Sequence, residues 1–286
     1  MSSASGLYYV PHGTRWPIIG SIGLFILVIG AALWLNDAAI GRWILVLGAL
    51  VVIVMLVGWF GAVIAESERG LYNLQVDSSF RWGMSWFIFS EVHFFAVFFA
   101  ALFYARQLVV PWLAGEGDNF FTNLLLWPQF ENVWPATGPA LEPVARMEAW
   151  GIPAVNTAIL LASGVTITIA HHMLRANRRR GLIIWLAATF ILGFVFMGLQ
   201  AEEYIHAYTE LDLRLDTGIY GATFFMLTGF HGLHVTLGAI MLVVIWVRVL
   251  RGHFTPERHF AFEATAWYWH FVDVVWLGLF FFVYWV

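Results

Sequence analysis

The sequence predicts an all-α integral membrane protein of seven transmembrane helices, arranged as a two-helix unit beside a five-helix bundle. Three observations predict it. The 286-residue chain is 61% hydrophobic and only 11% charged, whereas a soluble domain carries about a quarter charged residues. Its apolar residues gather into seven runs, each close to or beyond the roughly 20 residues needed to cross a bilayer core as a helix. The runs are continuous and carry interior glycines, which suits close helix packing and not the short alternating segments of a membrane barrel.

The spans are read at 16–35, 41–65, 82–106, 151–175, 182–207, 218–250 and 260–286. A short polar segment precedes the first run, which has no small-residue cleavage site suited to a secretory signal, so the N-terminus is read as retained. A short connection joins the first two spans, so residues 1–65 form the N-terminal two-helix unit. The polar stretch 66–81 is read as a linker on the cytoplasmic side, and residues 82–286 as the five-helix bundle. The sixth and seventh spans have length to spare for tilt. The one long loop, 107–150, holds Trp112, Trp127 and Trp134 and several prolines; tryptophans of this kind sit at the headgroup level, so it is expected along the outer interface. The two halves show no repeat, which gives no support to an inverted-repeat transporter.

All 14 basic residues are arginine, and their placement sets the orientation. With the N-terminus inside, the inner side receives Arg15, Arg69, Arg81, Arg175, Arg178, Arg179, Arg180, Arg248, Arg251 and Arg258, and the outer side only Arg42, Arg106, Arg146 and Arg214. Ten against four obeys the positive-inside rule. The outer loops carry most of the acids, among them Glu116, Asp118, Glu131, Glu142, Glu148, Glu210, Asp212 and Asp216. This reading expects a bacterial cytoplasmic membrane with a cytoplasmic N-terminus and a periplasmic C-terminus.

Several chemistries are excluded. The chain has no cysteine, which removes disulfides, thiolate metal sites, iron–sulfur clusters and thiol nucleophiles. No Ser/His/Asp series, glycine-rich phosphate loop or dinucleotide fingerprint is visible. Nucleic acid is not a credible ligand, and a net charge of -4 says little where most of the surface faces lipid.

The informative residues are ionisable ones inside apolar helices, where each costs several kcal/mol, roughly 2.5 or more at the bilayer centre. These are Glu91 and His93 in the third span, His231 and His234 in the sixth, and Glu263, His270 and Asp273 in the seventh. All but Glu263 are placed near mid-membrane and read as a polar layer. His231 with His234, and His270 with Asp273, stand three apart and so share a helix face. The favoured reading is mutual hydrogen bonding that fixes helix packing. A metal site is the sharper alternative. Glu203 and His206 form one Glu-x-x-His unit of the di-iron type, but a di-iron bundle needs that unit twice, so no metal ligand is assigned. His171 and His172, beside Arg175 and Arg178 to Arg180, read as interfacial anchors or anionic-lipid contacts. Trp59, Phe60, Glu66 and Arg248 are assigned to lipid binding, bracketing a headgroup, with a plain end-of-helix charge as the bland alternative for Glu66.

Four strings then name a family. SEVHFF (Ser90 to Phe95), NTAILLASGVTITIAHH (Asn156 to His172), GIYGATFFMLTGFHGLHV (Gly218 to Val235) and HFAFEATAWYWHFVDVVWL (His259 to Leu277) closely resemble subunit III of cytochrome c oxidase. The likeness runs in order from about residue 80 to the end and is weaker in the first two helices. It implies an accessory subunit of an A-type haem-copper oxidase with no active site or metal of its own. Haem and copper would lie in partner subunits, with subunit I in direct contact, subunit II in the complex and cytochrome c as electron donor. Phospholipids would occupy the cleft between the two-helix and five-helix units, and the subunit would support proton uptake through the catalytic subunit. Carried over by residue, the family's intramembrane carboxylate falls on Glu91, its paired histidines on His231 and His234, and its basic headgroup residue on Arg248. The second helix departs from the family pattern WWRDVI: Trp59, Phe60, Gly61, Ala62, Val63 and Ile64 lack its Arg and Asp. Trp134 to Gly138, WPATG, resembles the family's outer-loop turn.

Overall fold

The computed structural model describes residues 8–10, 13–139 and 144–286; Glu142, one of the expected outer acids, lies outside them. Among the described residues every regular element is helical, and seven helices are long and apolar enough to cross a membrane. They are α1 (Trp16–Leu35), α2 (Gly41–Glu68), α3 (Leu74–Tyr104), α4 (Ile152–Arg175), α5 (Arg179–Thr209), α6 (Ile219–Leu250) and α7 (Phe260–Leu279). The protein is therefore an integral multi-pass membrane protein. Large apolar side chains such as Phe25, Val57, Ile184 and Val274 are exposed along the helices, as lipid-facing surfaces require.

The chain divides into two compact units, Met1–Trp82 and Gly83–Val286, with the boundary inside α3. In the first unit α1 and α2 pack as a hairpin through buried glycines: a Cβ at Gly30 would stand 2.2 Å from the Leu45 nitrogen, and one at Gly48 2.4 Å from the Leu27 nitrogen. Small residues permit this backbone approach, which supplies the dispersion that holds helices together where lipid removes the hydrophobic drive.

The connection after α2 corrects the expected linker 66–81. Helix occupies most of that stretch, and only Arg69 to Asn73 separate α2 from α3. Asn73 supplies the reason, because its Oδ1 accepts the Val76 N–H at 2.9 Å as an N-cap does. Asp77 and Arg81 pair one turn apart at 2.8 Å. Polar residues ended the apolar run without ending the helix. At its far end α3 continues through a π turn, Ala105–Val109, into Val110–Leu113, so the first residues of the expected loop 107–150, Trp112 among them, are helical. A short helix, Phe120–Leu126, follows in the connection.

In the second unit the core is built on aromatic residues of α7. Trp269 is fully buried in a slot left by two glycines; a Cβ on Gly193 of α5 would stand 2.7 Å from the indole, and one on Gly238 of α6 2.9 Å. Buried indole N–H groups find partners: Trp269 Nε1 donates to Ser163 Oγ and Trp276 Nε1 to Thr157 Oγ1, both at 2.9 Å. Both bonds tie α7 to α4. Thr166 and Thr189 hydroxyls meet at 2.8 Å between α4 and α5. Each such interhelical bond contributes roughly 0.6–2 kcal/mol in a membrane protein.

The long connection is folded onto helix ends. Thr137 and Ala136 carbonyls accept the Ile219 and Tyr220 N–H groups, both at 3.0 Å, satisfying donors that the first turn of α6 otherwise leaves open. The Arg146 guanidinium donates to the Tyr284 and Trp285 carbonyls at 2.7 and 2.6 Å, and Arg106 donates to Val286. These arginines satisfy the last carbonyls of the π turn Phe280–Trp285 and that of Val286 after it.

Candidate functional site

The second unit brings together Glu91 of α3 and His234 of α6, 143 residues apart in the chain, with Oε2 and Nε2 3.0 Å apart. Both side chains are shielded, at 21% and 11% exposure. His234 Nδ1 lies 2.6 Å from the Phe230 carbonyl. A carbonyl only accepts, so Nδ1 carries a hydrogen and Nε2 faces Glu91. One proton therefore sits between the two residues, either on the carboxyl or on an imidazole that is then cationic. The pair satisfies itself without a metal. Around it stand the Phe94 and Phe95 rings, 5.9 and 5.0 Å from the imidazole, and Tyr268 of α7 stacked at 6.4 Å. The Tyr268 hydroxyl donates to the His234 carbonyl at 3.3 Å.

The remaining members of the expected polar layer are placed elsewhere. His231 is 1% exposed and lies among Phe95, Phe196 and Trp276; among the described residues neither ring nitrogen has a hydrogen-bond partner. His231 and His234 both lie against the Phe95 ring, and of the two it is His234 that reaches Glu91. His93 is exposed and, among the described residues, bonds back to its own helix at the Phe89 carbonyl, 2.9 Å. His270 and Asp273 form a separate locus against α4, with Nδ1 and Oδ2 3.8 Å apart and His270 Nε2 3.4 Å from Thr168 Oγ1. Gly164 makes room there, since a Cβ would stand 2.6 Å from Asp273 Oδ2. The layer is thus one close pair, one aromatic-caged histidine and one satellite pair.

The four residues assigned to lipid divide similarly. Trp59 and Phe60 are exposed on α2. Glu66 is more than an end-of-helix charge, because its Oε2 accepts the Tyr72 hydroxyl at 2.7 Å. Burial first, and then the bond to Glu66, push the Tyr72 phenol above its ordinary value. Arg248, in the last turn of α6, is 7% exposed with its guanidinium over the Phe254 ring at 4.5 Å.

Glu203 and His206 diverge. Glu203 is 1% exposed and accepts the Gln200 amide at 3.1 Å, whereas His206 turns outward to Glu210 at 3.1 Å. They do not converge on a metal. A cluster that the sequence reading left unassembled is His171, His259 and Glu263, three residues from α4, the start of α7 and its first turn. Its local half was readable, since His259 and Glu263 stand four apart on one helix face. His171 lies 88 positions before His259, and no periodicity connects them.

The sequence profile described as cytochrome c oxidase subunit III matches residues 7–116 and 118–286. The chain is similar to proteins named cytochrome c oxidase subunit 3 from Formosania lacustris and from Homo sapiens, each 40% identical over 286 residues, which is 100% of this chain and 99% of the relative. The namesake from Carassius auratus is 38% identical over the same 286 residues, again 100% of this chain and 99% of that protein.

Proposed function

The chain belongs to the cytochrome c oxidase subunit III family, and we propose that it acts as the non-catalytic subunit III of an A-type cytochrome c oxidase in an aerobic respiratory chain. In this role it binds phospholipid, stabilises the catalytic subunit and supports its proton uptake while electrons pass from cytochrome c to O2. Haem and copper reside in the partner subunits, I in direct contact and II within the complex. The observation that carries the non-catalytic assignment is the pairing of Glu91 with His234 at 3.0 Å. A half-buried carboxylate and a buried imidazole that satisfy one another act as interhelical glue and need no substrate.

Phospholipid binding draws support from Arg248 in the last turn of α6, and from the exposed aromatics Trp59 and Phe60. For location we propose a bacterial cytoplasmic membrane with the N-terminus cytoplasmic and the C-terminus periplasmic. The arginine asymmetry of ten against four supports that orientation.

Affinity purification of the chain in mild detergent tests the reading. Haem-bearing oxidase subunits are expected to copurify, identified by visible spectrum and mass spectrometry, and to keep their spectrum when this chain is stripped away. A chain that purifies alone with stoichiometric iron would instead be a hydroxylase, and one that alone carries proton or solute flux in vesicles a transporter; either result overturns the proposal.

A further inference from the structure

The geometry points to a divalent transition-metal site, of the zinc class, formed by His171, His259 and Glu263. We propose it as a property of the chain itself, independent of its place in a complex. The three facing atoms are His171 Nε2, His259 Nε2 and Glu263 Oε1, separated by 3.3 Å between the histidines, 3.1 Å from His259 to Glu263 and 3.5 Å from His171 to Glu263. Ligands around a tetrahedral zinc with bonds of about 2.0–2.1 Å stand about 3.3–3.4 Å from one another. The three edges, 3.1–3.5 Å, bracket that length.

The tautomer of His259 supplies the second argument. Its Nδ1 lies 3.1 Å from the Thr255 carbonyl, which only accepts, so Nδ1 carries the hydrogen and the Nε2 lone pair is aimed at Glu263. A lone pair facing a carboxylate oxygen at 3.1 Å is repulsive unless a proton, as between Glu91 and His234, or a metal cation sits between them, and here a second imidazole nitrogen, His171 Nε2, converges on the same point. A carbonyl behind the distal ring nitrogen is also the supporting contact that orients histidine ligands at metal sites. The two imidazoles are inclined at 60° with ring centroids 5.4 Å apart, so they converge edge-on and do not stack.

Donor chemistry selects the ion. Two imidazoles and one carboxylate are the His2Glu set that zinc accepts with a fourth position left for water, while calcium and magnesium prefer all-oxygen shells. The arginines at the junction of α4 and α5, Arg175 and Arg178 to Arg180, disfavour a cation held by charge alone and leave the coordinate bonds to nitrogen as the source of affinity. Access exists, because the His171 side chain is 30% exposed.

The test uses the full chain in detergent, treated with chelator and titrated with Zn2+ by equilibrium dialysis and elemental analysis, and with Co2+ by visible absorption. One zinc per chain is expected, together with the intense visible bands of four-coordinate cobalt. His171→Ala and Glu263→Gln should each weaken zinc by more than the roughly 10- to 100-fold that losing a supporting contact costs at such sites. His172→Ala, at the exposed neighbouring position, should leave binding unchanged. Circular dichroism of each variant confirms that the helices are intact, and Glu263→Gln keeps the site readable if an alanine variant fails to fold. Substoichiometric zinc, binding indifferent to Glu263→Gln, or equal loss in His172→Ala would overturn the proposal and leave a proton-sharing cluster in its place.

Discussion

Glu91 Oε2 on α3 and His234 Nε2 on α6 meet at 3.0 Å, and His234 is locked in register by its bond to the Phe230 carbonyl at 2.6 Å. The contact crosses two helices with one shared proton. His234→Ala strands the half-buried Glu91 carboxyl and is expected to cost about 1–2 kcal/mol, the lower part of what a polar group left without its partner costs when fully buried. Glu91→Gln keeps a donor toward Nε2 and should cost less than about 1 kcal/mol. Thermal unfolding in detergent measures both. Equal losses for the two variants would show that the shared proton is irrelevant to the pair.

Arg248 sits in the last turn of α6 with its guanidinium over Phe254 at 4.5 Å. A basic group near a membrane surface attracts anionic lipid by about 1 kcal/mol, or about fivefold in occupancy. Arg248→Ala should therefore lower copurified anionic phospholipid several-fold and shorten the active lifetime of the oxidase during turnover more than it lowers the initial rate. Lipid mass spectrometry and progress curves check this. An unchanged lifetime with unchanged lipid counts against a headgroup role.

Gly218 has φ +89°, and a Cβ there would stand 1.8 Å from the Thr137 carbonyl oxygen. That carbonyl is the one that receives the Ile219 N–H at 3.0 Å. Gly218→Ala is expected to push the 136–137 turn off the start of α6 and to destabilise by about 1–3 kcal/mol through strain and lost caps. Limited proteolysis should cleave the connection before α4 faster in the variant, and an unchanged digestion pattern would contradict the pinning.

Tyr72, in the short connection between α2 and α3, is raised above the ordinary phenol value of 10.0 by burial and then by its bond to Glu66. A folded value above the unfolded one gives stability that is fully present below about pH 10 and is lost as pH rises through the folded value. Tyr72→Phe should flatten the alkaline fall in stability of the first unit. Glu66→Gln should bring Tyr72 ionisation to lower pH, followed by phenolate absorbance; no movement would show that Glu66 contributes nothing to the raised value.

The sequence by itself determined the membrane class and the number of spans, and which close neighbours share a helix face, because each depends on local composition or on helical period. Continuous apolar runs have one stable form in lipid, and His259 with Glu263 share a face at any position along a helix. The strings around Glu91, His234 and Trp269 carried the family. Helix limits near residue 70 were not legible, since Asn73 ends the connection by capping while hydropathy registers only the loss of apolar residues. Tertiary structure alone decided which polar residues meet. Glu91 reaches His234 and not His231, and His171 reaches His259, because rotation and tilt of packed helices are set by where glycines admit bulky rings, as Gly193 and Gly238 admit Trp269. That information is distributed over five helices, and no single stretch of sequence contains it.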